Sequence, residues 1–498
     1  MTTAEDETAT PVTETLRSVN PATGEPITEW PVDDEAAVVA AVERARAAAA
    51  HWRDLGFDAR RTALLRWASY LVTHTEELLA LMRRENGKPR DDASIELILV
   101  LEHLDWAARN AKKVLRPRHV APGLFMANHE AVVEHPPLGV VGVIGPWNYP
   151  IYTPNGSVAY ALAAGNTVVF KPSEYTTTIG VWYAESFARA NPELPGGILT
   201  AVTGFGATGA ALVRSGVDKI AFTGSTPTGK RIAAAAADSL TPVLLECGGK
   251  DAAIVAADAD IPAAADAIAW SAVSNSGQTC VGTERVYVDR TVYEEFLTEL
   301  RNRVRTVKAG VSYGPMTMPK QIDIVRDHVA DALARGGRAV VGGLDSVGDR
   351  YIEPVLLVDT PEDSRAVTEE TFGPTVTVTA VGSVDEAIRL ANASEFGLAS
   401  TVFSRRRGME IARRLRVGAT SVNAVLSFGA ISALPFGGTG ASGVGRIHGA
   451  EGLLEFTRTQ SIARQRFPIG VALLSFRRRA AVLGLIERVV RLRHGRHR

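Results

Sequence analysis

Five short runs rich in Val, Ile and other apolar residues, at 140–144, 167–170, 198–202, 219–222 and 242–245, alternate with helical stretches through the middle of the chain. Runs this short and this apolar fit strands buried on both faces. Alternation with helices is βαβ grammar, and it predicts an α/β fold built on a doubly wound parallel sheet. Ahead of it, 34–51, 60–84 and 94–115 read as helices, the last two parted by the turn Asn86-Gly87-Lys88-Pro89. A second α/β run starts near Lys250, holds Cys280, and is expected to end near Gly437, where the chain returns to the first sheet. Two such parallel-sheet domains are within the two to four that 498 residues suggest.

Two cysteines cannot build a disulfide framework, so Cys247 and Cys280 read as reduced thiols of a cytoplasmic protein. Residues 1–15 are acidic and Thr-rich, without the basic start and apolar core of a signal peptide; a disordered lead is expected there. No run reaches the roughly 18 apolar residues of a membrane span. The net charge of −1 is unevenly spread: residues 471–498 carry eight Arg and one Glu, so the rest is acidic. An acidic body without a basic stacking motif gives no expectation of nucleic-acid binding. In the tail, 469–498, Val482, Leu485, Ile486, Val489 and Leu492 recur at helical spacing, with Arg477, Arg488 and Arg491 opposite. Such a helix suits peripheral contact with an anionic membrane face, packing on a neighbouring subunit, or a solvated basic end. Ten His without an H-x-x-x-H pair or a Cys/His cluster predict no metal site.

Chemistry concentrates in two segments. Cys280 ends Ser276-Gly277-Gln278-Thr279-Cys280, and Glu246 lies in Leu244-Leu245-Glu246-Cys247-Gly248-Gly249-Lys250. A thiol on a small-residue turn, with a carboxylate able to activate water, can make and hydrolyse a thioester. Alone, the thiol reads as an inert small hydrophobe and the carboxylate as a surface group. Gly204-Phe205-Gly206-Ala207-Thr208-Gly209 matches the dinucleotide fingerprint between a strand and a helix. The acidic residue expected about 20 positions later is not clearly placed, Asp218 being too near, so the run is either a phosphate cradle or a glycine turn.

Further segments complete an ordered set: Pro146-Trp147-Asn148-Tyr149-Pro150, Phe170-Lys171-Pro172-Ser173-Glu174, Phe222-Thr223-Gly224-Ser225, Glu370-Thr371-Phe372-Gly373-Pro374 and Pro435-Phe436-Gly437-Gly438. With the Glu246 and Cys280 segments, this set resembles the signature motifs of the non-acylating, NAD(P)-dependent aldehyde dehydrogenase superfamily across roughly 15–465. Two departures stand out: Cys247 where Leu is common, and Thr439-Gly440 in place of a bulky residue plus Lys.

The resemblance implies an NAD-binding domain at 16–126 and 147–247 with 438–457 returning to it, a catalytic domain at 248–437, and a small β oligomerisation element at 127–146 and 458–468. It implies a homodimer or homotetramer. Cys280, Glu246, Asn148 and Lys171 become the catalytic set. Cys280 would attack the aldehyde, Asn148 and the Cys280 backbone N–H would hold the oxyanion, and Glu246 would activate the hydrolytic water. Pro146, Trp147, Lys171, Ser173, Glu174, Gly206, Gly224, Ser225, Glu370 and Phe372 become cofactor-binding. A carboxylate at Glu174 can accept from both ribose hydroxyls and repels a 2′-phosphate, which favours NAD, with NADP as the alternative. Helix N-termini at Gly206 and Gly224-Ser225 would serve phosphate.

For the substrate, similarity to succinate-semialdehyde dehydrogenases suggests two carboxylate-clamping arginines, but Gly156 and Ser274 stand at those places. The mostly apolar segment 425–434, with Tyr149, Tyr152 and Phe436, would line an apolar tunnel or simply pack as core. An uncharged aliphatic or aromatic aldehyde is expected. The alternatives are a small polar aldehyde such as succinate semialdehyde, a CoA-acylating relative, or an inactive structural or membrane-associated member.

Overall fold

A computed structural model describes residues 14–468, 475–476 and 478–495. By internal contacts the chain forms two units, one of residues up to Val114 with Pro137–Arg458, the other of Leu115–Pro136 with the segment from Thr459 onward.

The first unit holds two large sheets. The six-stranded one has the order Gly443–Val444, Val243–Glu246, Lys219–Thr223, Val140–Ile144, Thr167–Lys171, Leu199–Ala201. Its five longer strands are parallel, and only the two-residue Gly443–Val444 edge is antiparallel. Val140–Ile144 and Thr167–Lys171 are buried at every position, as strands covered on both faces must be. The seven-stranded sheet has the order Arg338–Val341, Val355–Val358, Thr375–Val381, Arg285–Asp289, Ala252–Val255, Ala399–Phe403, Ala419–Val422. It too is parallel except at one edge, Arg338–Val341. The chain leaves the first sheet after Glu246, enters the second at Ala252 and returns at Gly443.

The helices before the first sheet follow from local chemistry. Asp34 caps Glu35–Asp54 by accepting from the Ala37 N–H at 2.8 Å, and Val38, Ala41, Val42, Ala45, Ala48 and Trp52 form its buried stripe. The stretch 60–84, read as one helix, is two: Gly56–Thr73 and Thr75–Glu85. At the break, the Thr73 hydroxyl donates to the Tyr70 carbonyl and the Thr75 hydroxyl to the Val72 carbonyl, while His74 stacks on Tyr70. Side chains that bond local carbonyls compete with helix continuation.

The second unit contains a three-stranded antiparallel sheet, Gln460–Gln465 beside His129–Glu134 beside Arg118–Val120. The segment 127–146 therefore divides. His129–Glu134 joins this sheet, whereas Val140–Ile144 pairs with Thr167–Lys171 and Lys219–Thr223 inside the six-stranded one. Arg118–Val120, assigned above to the first domain, belongs to the excursion because it pairs with Ala131–Val133. Of the expected disordered lead, residues 1–13 lie outside the described residues. Thr15 opens the strand Thr15–Val19, which pairs with Pro26–Pro31 and buries Leu16 and Ser18. The tail forms the helix Ala480–His494, with Leu485 and Leu492 exposed; Arg477 lies outside the described residues. No helix among the described residues is long and apolar enough to cross a membrane.

Candidate active site

Parallel strands of the first sheet end where the motif residues begin. Val140–Ile144 leads to Pro146-Trp147-Asn148, Thr167–Lys171 ends on Lys171, Lys219–Thr223 leads to Gly224-Ser225, and Val243–Glu246 ends on Glu246. The strand order reverses between Val140–Ile144 and Lys219–Thr223. A crevice at the carboxyl ends of strands at such a switch point is where open α/β sheets take ligands.

The turn before Cys280 is strained. The helix Ile261–Val273 runs into Ser274–Gly277, where Asn275 (φ 52°), Ser276 (φ 60°) and Gly277 (φ 69°) all take the left-handed region. For the two non-glycine residues this costs about 1–3 kcal/mol each. Side chains hold the shape. Asn275 Nδ2 donates to the Asn148 carbonyl at 3.2 Å and the Gln278 carbonyl at 3.1 Å, and Ser276 Oγ donates to the Gly314 carbonyl at 2.7 Å. Gln278 bridges the turn, donating to the Asn275 carbonyl at 2.9 Å and accepting from the Thr317 N–H at 2.8 Å. Any side chain at Gly277 would meet the Gly373 carbonyl.

Asn148 lies against this turn. It is 5% exposed, and its Nδ2 donates to the Gln278 carbonyl at 2.9 Å. That uses one amide hydrogen and leaves the second. Its carbonyl accepts from Lys88 Nζ at 2.8 Å. Lys88 forms a fully buried ion pair with Glu96 and lies 3.9 Å over the Tyr149 ring. The other Glu96 oxygen accepts from the backbone N–H groups of Ile151 and Tyr152, at the start of the helix Tyr152–Ala164. One buried carboxylate thus fixes the lysine and that helix start. Sequence reasoning missed Lys88 and Glu96; Lys88 sits in the turn noted only as a helix stop, and nothing local marks Glu96.

Glu246 and Cys280 line one cavity of about 280 Å³, together with Tyr149, Tyr152 and Phe436. Glu246 is buried, and neither carboxyl oxygen has a hydrogen-bond partner among the described residues. Burial holds its carboxyl well above the ordinary value, Glu455 adding to the effect and Arg446 opposing it. A Cβ at Gly437 would come within 2.8 Å of Glu246 Oε1, so glycine there leaves the carboxyl its room. Burial, then the charges of Glu370, Asp251 and Glu246, push the half-buried Cys280 thiol far up, and it rests neutral. Cys247 is buried, and burial raises its thiol to about 11.

Glu370 accepts from the Gly249 N–H at 2.9 Å and is pushed up to about 8, chiefly by burial. Phe372 has φ 51°. The Glu284 carboxylate holds that backbone by accepting from Thr371 N–H at 2.9 Å and Phe372 N–H at 3.0 Å, and itself pairs with buried Lys250. Phe372 packs edge-on against Trp147 at 5.5 Å, beside half-buried Pro146. Lys250 and Glu284 went unread in the sequence.

At the cofactor edge, Lys171 is 4% exposed, its Nζ donates to the Pro172 carbonyl at 3.0 Å, and burial lowers its pKa. Ser173 Oγ donates to half-buried Glu174 at 3.3 Å. The helix Gly206–Arg214 starts on exposed Gly206, and Thr226–Ala237 follows Ser225; neither has a side-chain cap. Uncapped N-terminal N–H groups and a buried ammonium with one carbonyl partner fit a phosphate-bearing dinucleotide. Lys171, Glu174, the two helix starts and Glu370 are the residues that would hold it. No cluster of three or more His, Cys, Asp or Glu suited to a metal occurs among the described residues.

Towards the interior, Tyr152 OH donates to the Gly429 carbonyl at 2.8 Å, and His103 Nε2 lies 2.8 Å from the same oxygen. The apolar segment 425–434 is thereby pinned beside the cavity, which Val425, Leu426, Phe428 and Ala430 help to line.

A doubly wound sheet with uncapped helix starts at its carboxyl edge, and a cavity holding a thiol and an unpartnered carboxyl, define a nucleotide-dependent α/β oxidoreductase. The chain belongs to the aldehyde dehydrogenase family, whose model matches residues 8–462. A relative from Mycobacterium tuberculosis, named "Putative succinate-semialdehyde dehydrogenase (NADP+) 2", is 37% identical over 89% of this chain and 87% of its own. The 4,4'-diapolycopene aldehyde oxidase of a Methylomonas species is 38% identical over 89% of this chain and 84% of its own. The solved structure of an NAD-dependent aldehyde dehydrogenase from Sinorhizobium meliloti superposes with a TM-score of 0.88 at 31% identity, covering 92% and 93% of the two chains. The α/β fold and the use of NAD(P) follow from this membership.

Proposed function

We propose that the protein oxidises an uncharged, hydrophobic aldehyde to its carboxylic acid with NAD, through a thioester on Cys280. The observation that carries this reading is the cavity itself: it holds Cys280 and Glu246, is otherwise mostly apolar, and contains no Lys or Arg in its lining.

Cys280 gives its proton to solvent water as its sulfur bonds to the aldehyde carbon. The carbonyl oxygen gains negative charge and meets the free Asn148 amide hydrogen and the Cys280 backbone N–H. One such donor contributes about 3–4 kcal/mol to the transition state. A dinucleotide held by Lys171, Glu174, the two helix starts and Glu370 would supply the hydride acceptor that lets the Cys280 adduct become a thioester. Glu246 then takes a proton from water; the hydroxide attacks the thioester carbon, the C–S bond breaks, and the acid departs. A carboxyl with raised pKa and no protein partner is a stronger base than an ordinary carboxylate, which suits that proton transfer. Because Glu246 supplies the water step, a coenzyme A acceptor is not needed.

The M. tuberculosis relative's name points to succinate semialdehyde and NADP. Against the first, the cavity lining has the acids Asp92 and Glu246 and no basic chain to pair with a carboxylate, and a side chain at Gly156 would meet His448 and Ile447. An arginine there would have to displace the His448 ring and the Ile447 side chain. Against the second, the Glu174 carboxylate repels a 2′-phosphate. Comparing kcat/KM for hexanal, benzaldehyde and succinate semialdehyde, with NAD and NADP in parallel, tests both. Preference for succinate semialdehyde would overturn the substrate reading.

For assembly the reading is a homodimer or homotetramer joined through the excursion, in a cytoplasmic protein. Gln460–Gln465 is exposed at all six positions on the sheet edge, and unpaired edges seek partners. The basic tail helix would add peripheral contact with anionic lipid. Light scattering with and without residues 469–498, and cosedimentation with anionic vesicles, separate these roles.

A further inference from the structure

His448 lines the cavity that contains Cys280. It is 1% exposed, and neither Nδ1 nor Nε2 has a hydrogen-bond partner among the described residues. Its backbone is at φ 62°, ψ 167°, a region costly for a non-glycine residue. The surroundings make space for the ring: a Cβ at Gly156 would lie 2.8 Å from Nε2. Rings of His103, Tyr160, Tyr152 and Phe436 stand 3.8, 5.7, 5.8 and 6.1 Å away. Burial keeps both imidazoles neutral, holding His103 at about 4 and His448 well below its ordinary value. A neutral imidazole offers one N–H and one lone pair. Leaving such groups unpaired is costly, and an aromatic hydrocarbon would fill this wall without that cost.

Three nearby polar groups bond to backbone carbonyls, while His103 Nδ1 and, in the same lining, Ser274 Oγ also lack a partner among the described residues. Tyr152 OH donates to the Gly429 carbonyl, His103 Nε2 pairs with that oxygen, and Tyr160 OH donates to the Ser432 carbonyl at 3.4 Å. Tyr152 connects the two ends: its ring is 5.8 Å from His448, and it lines the same cavity as Cys280.

We propose that His448 is a recognition site for an uncharged polar atom, a hydroxyl or carbonyl oxygen, carried by the aldehyde away from its reacting carbon. This rests on the aldehyde-oxidising reading and narrows it: the substrate is hydrophobic along its length with one neutral polar group. The acids Asp92 and Glu246 in the same lining, and the lack of a cation there, set this subsite apart from a carboxylate clamp.

The test compares kcat/KM for hexanal and for hydroxyhexanals with the hydroxyl at successive carbons, in the wild type, His448→Phe and His448→Asn. The wild type is expected to favour one hydroxyl position over hexanal by about tenfold, the worth of one buried hydrogen bond. His448→Phe should lose that preference while still oxidising hexanal. His448→Asn, which keeps a donor and an acceptor, should retain part of it. No preference at any position, or an undiminished one in His448→Phe, overturns the proposal. Calorimetric binding of hexanediols against hexanol by the wild-type protein reads the subsite without turnover and without a variant. Tighter diol binding supports it and equal binding counts against it. Failure to oxidise any aldehyde would instead sink the catalytic reading.

Discussion

Asn148 and Gln278 are joined by a hydrogen bond of 2.9 Å from the side-chain amide of one to the backbone carbonyl of the other, 130 positions apart. The bond ties the loop after the first sheet's central strand to the turn that presents Cys280. It also orients the amide, so its remaining hydrogen is fixed before any substrate arrives. Asn148→Ala is expected to lower kcat/KM by about 100- to 1,000-fold. Alkylation of Cys280 by iodoacetamide, which develops no oxyanion, should change far less. Parallel loss of both would show that the substitution had collapsed the turn.

Glu246→Gln should separate the two halves of the reaction. Rapid-mixing absorbance at 340 nm is expected to show a burst of one NADH per active site and then a stall. The steady rate should fall by about 100- to 10,000-fold, the usual range for losing a general base. A variant without a burst would place Glu246 before hydride transfer and contradict the assignment.

The raised pKa of Cys280 has a sign that can be checked. A thiol held neutral by burial gains thiolate with rising pH, and it does so above the ordinary value of about 8.5. Alkylation of the free enzyme should therefore keep climbing through that value without levelling. Glu246→Gln removes one of the charges that oppose the thiolate, so alkylation at a given alkaline pH should become faster. Cys280→Ala should leave almost no labelling, because Cys247 is buried and raised to about 11.

Glu174→Ala should narrow the gap between NAD and NADP. Removing a carboxylate from the place of the 2′-substituent is expected to raise kcat/KM for NADP relative to NAD by about tenfold, roughly 1.4 kcal/mol. An unchanged ratio would mean that Glu174 does not face the ribose.

Lys88→Met strands Glu96 as a buried, unpaired carboxylate. A loss of about 3–5 kcal/mol is expected, visible as a large fall in Tm. Lys88→Met combined with Glu96→Leu should recover much of that stability without recovering activity, since Asn148 and the Tyr152 helix would still lack their support.

The sheets could be read from sequence because their strands are buried on both faces and written in continuous apolar runs. Val140–Ile144 needed no tertiary information. The helix break at His74 was hidden because hydroxyls bonding local carbonyls leave the apolar spacing intact. The candidate nucleophile and base stood in recognisable segments. Their supports did not. Glu96 resembles any surface glutamate in a helix, and its partners, Lys88 and the Ile151–Tyr152 backbone, come from other elements. The left-handed conformations of Asn275 and Ser276 come from bonds to Asn148, Gln278 and Gly314, so no local pattern announces them. His448 was passed over because its significance lies in having no partner, which only packing reveals.

The carbonyl of Gly429 receives both Tyr152 and His103, and this has a consequence for anyone redesigning the protein. The segment around it shapes the cavity wall, whereas Cys280 and Glu246 are carried by other elements. The wall therefore behaves as an exchangeable part with two docking points, the carbonyls of Gly429 and Ser432. Grafts that keep backbone oxygens at both points can be varied in polarity, leaving the reaction machinery as it is.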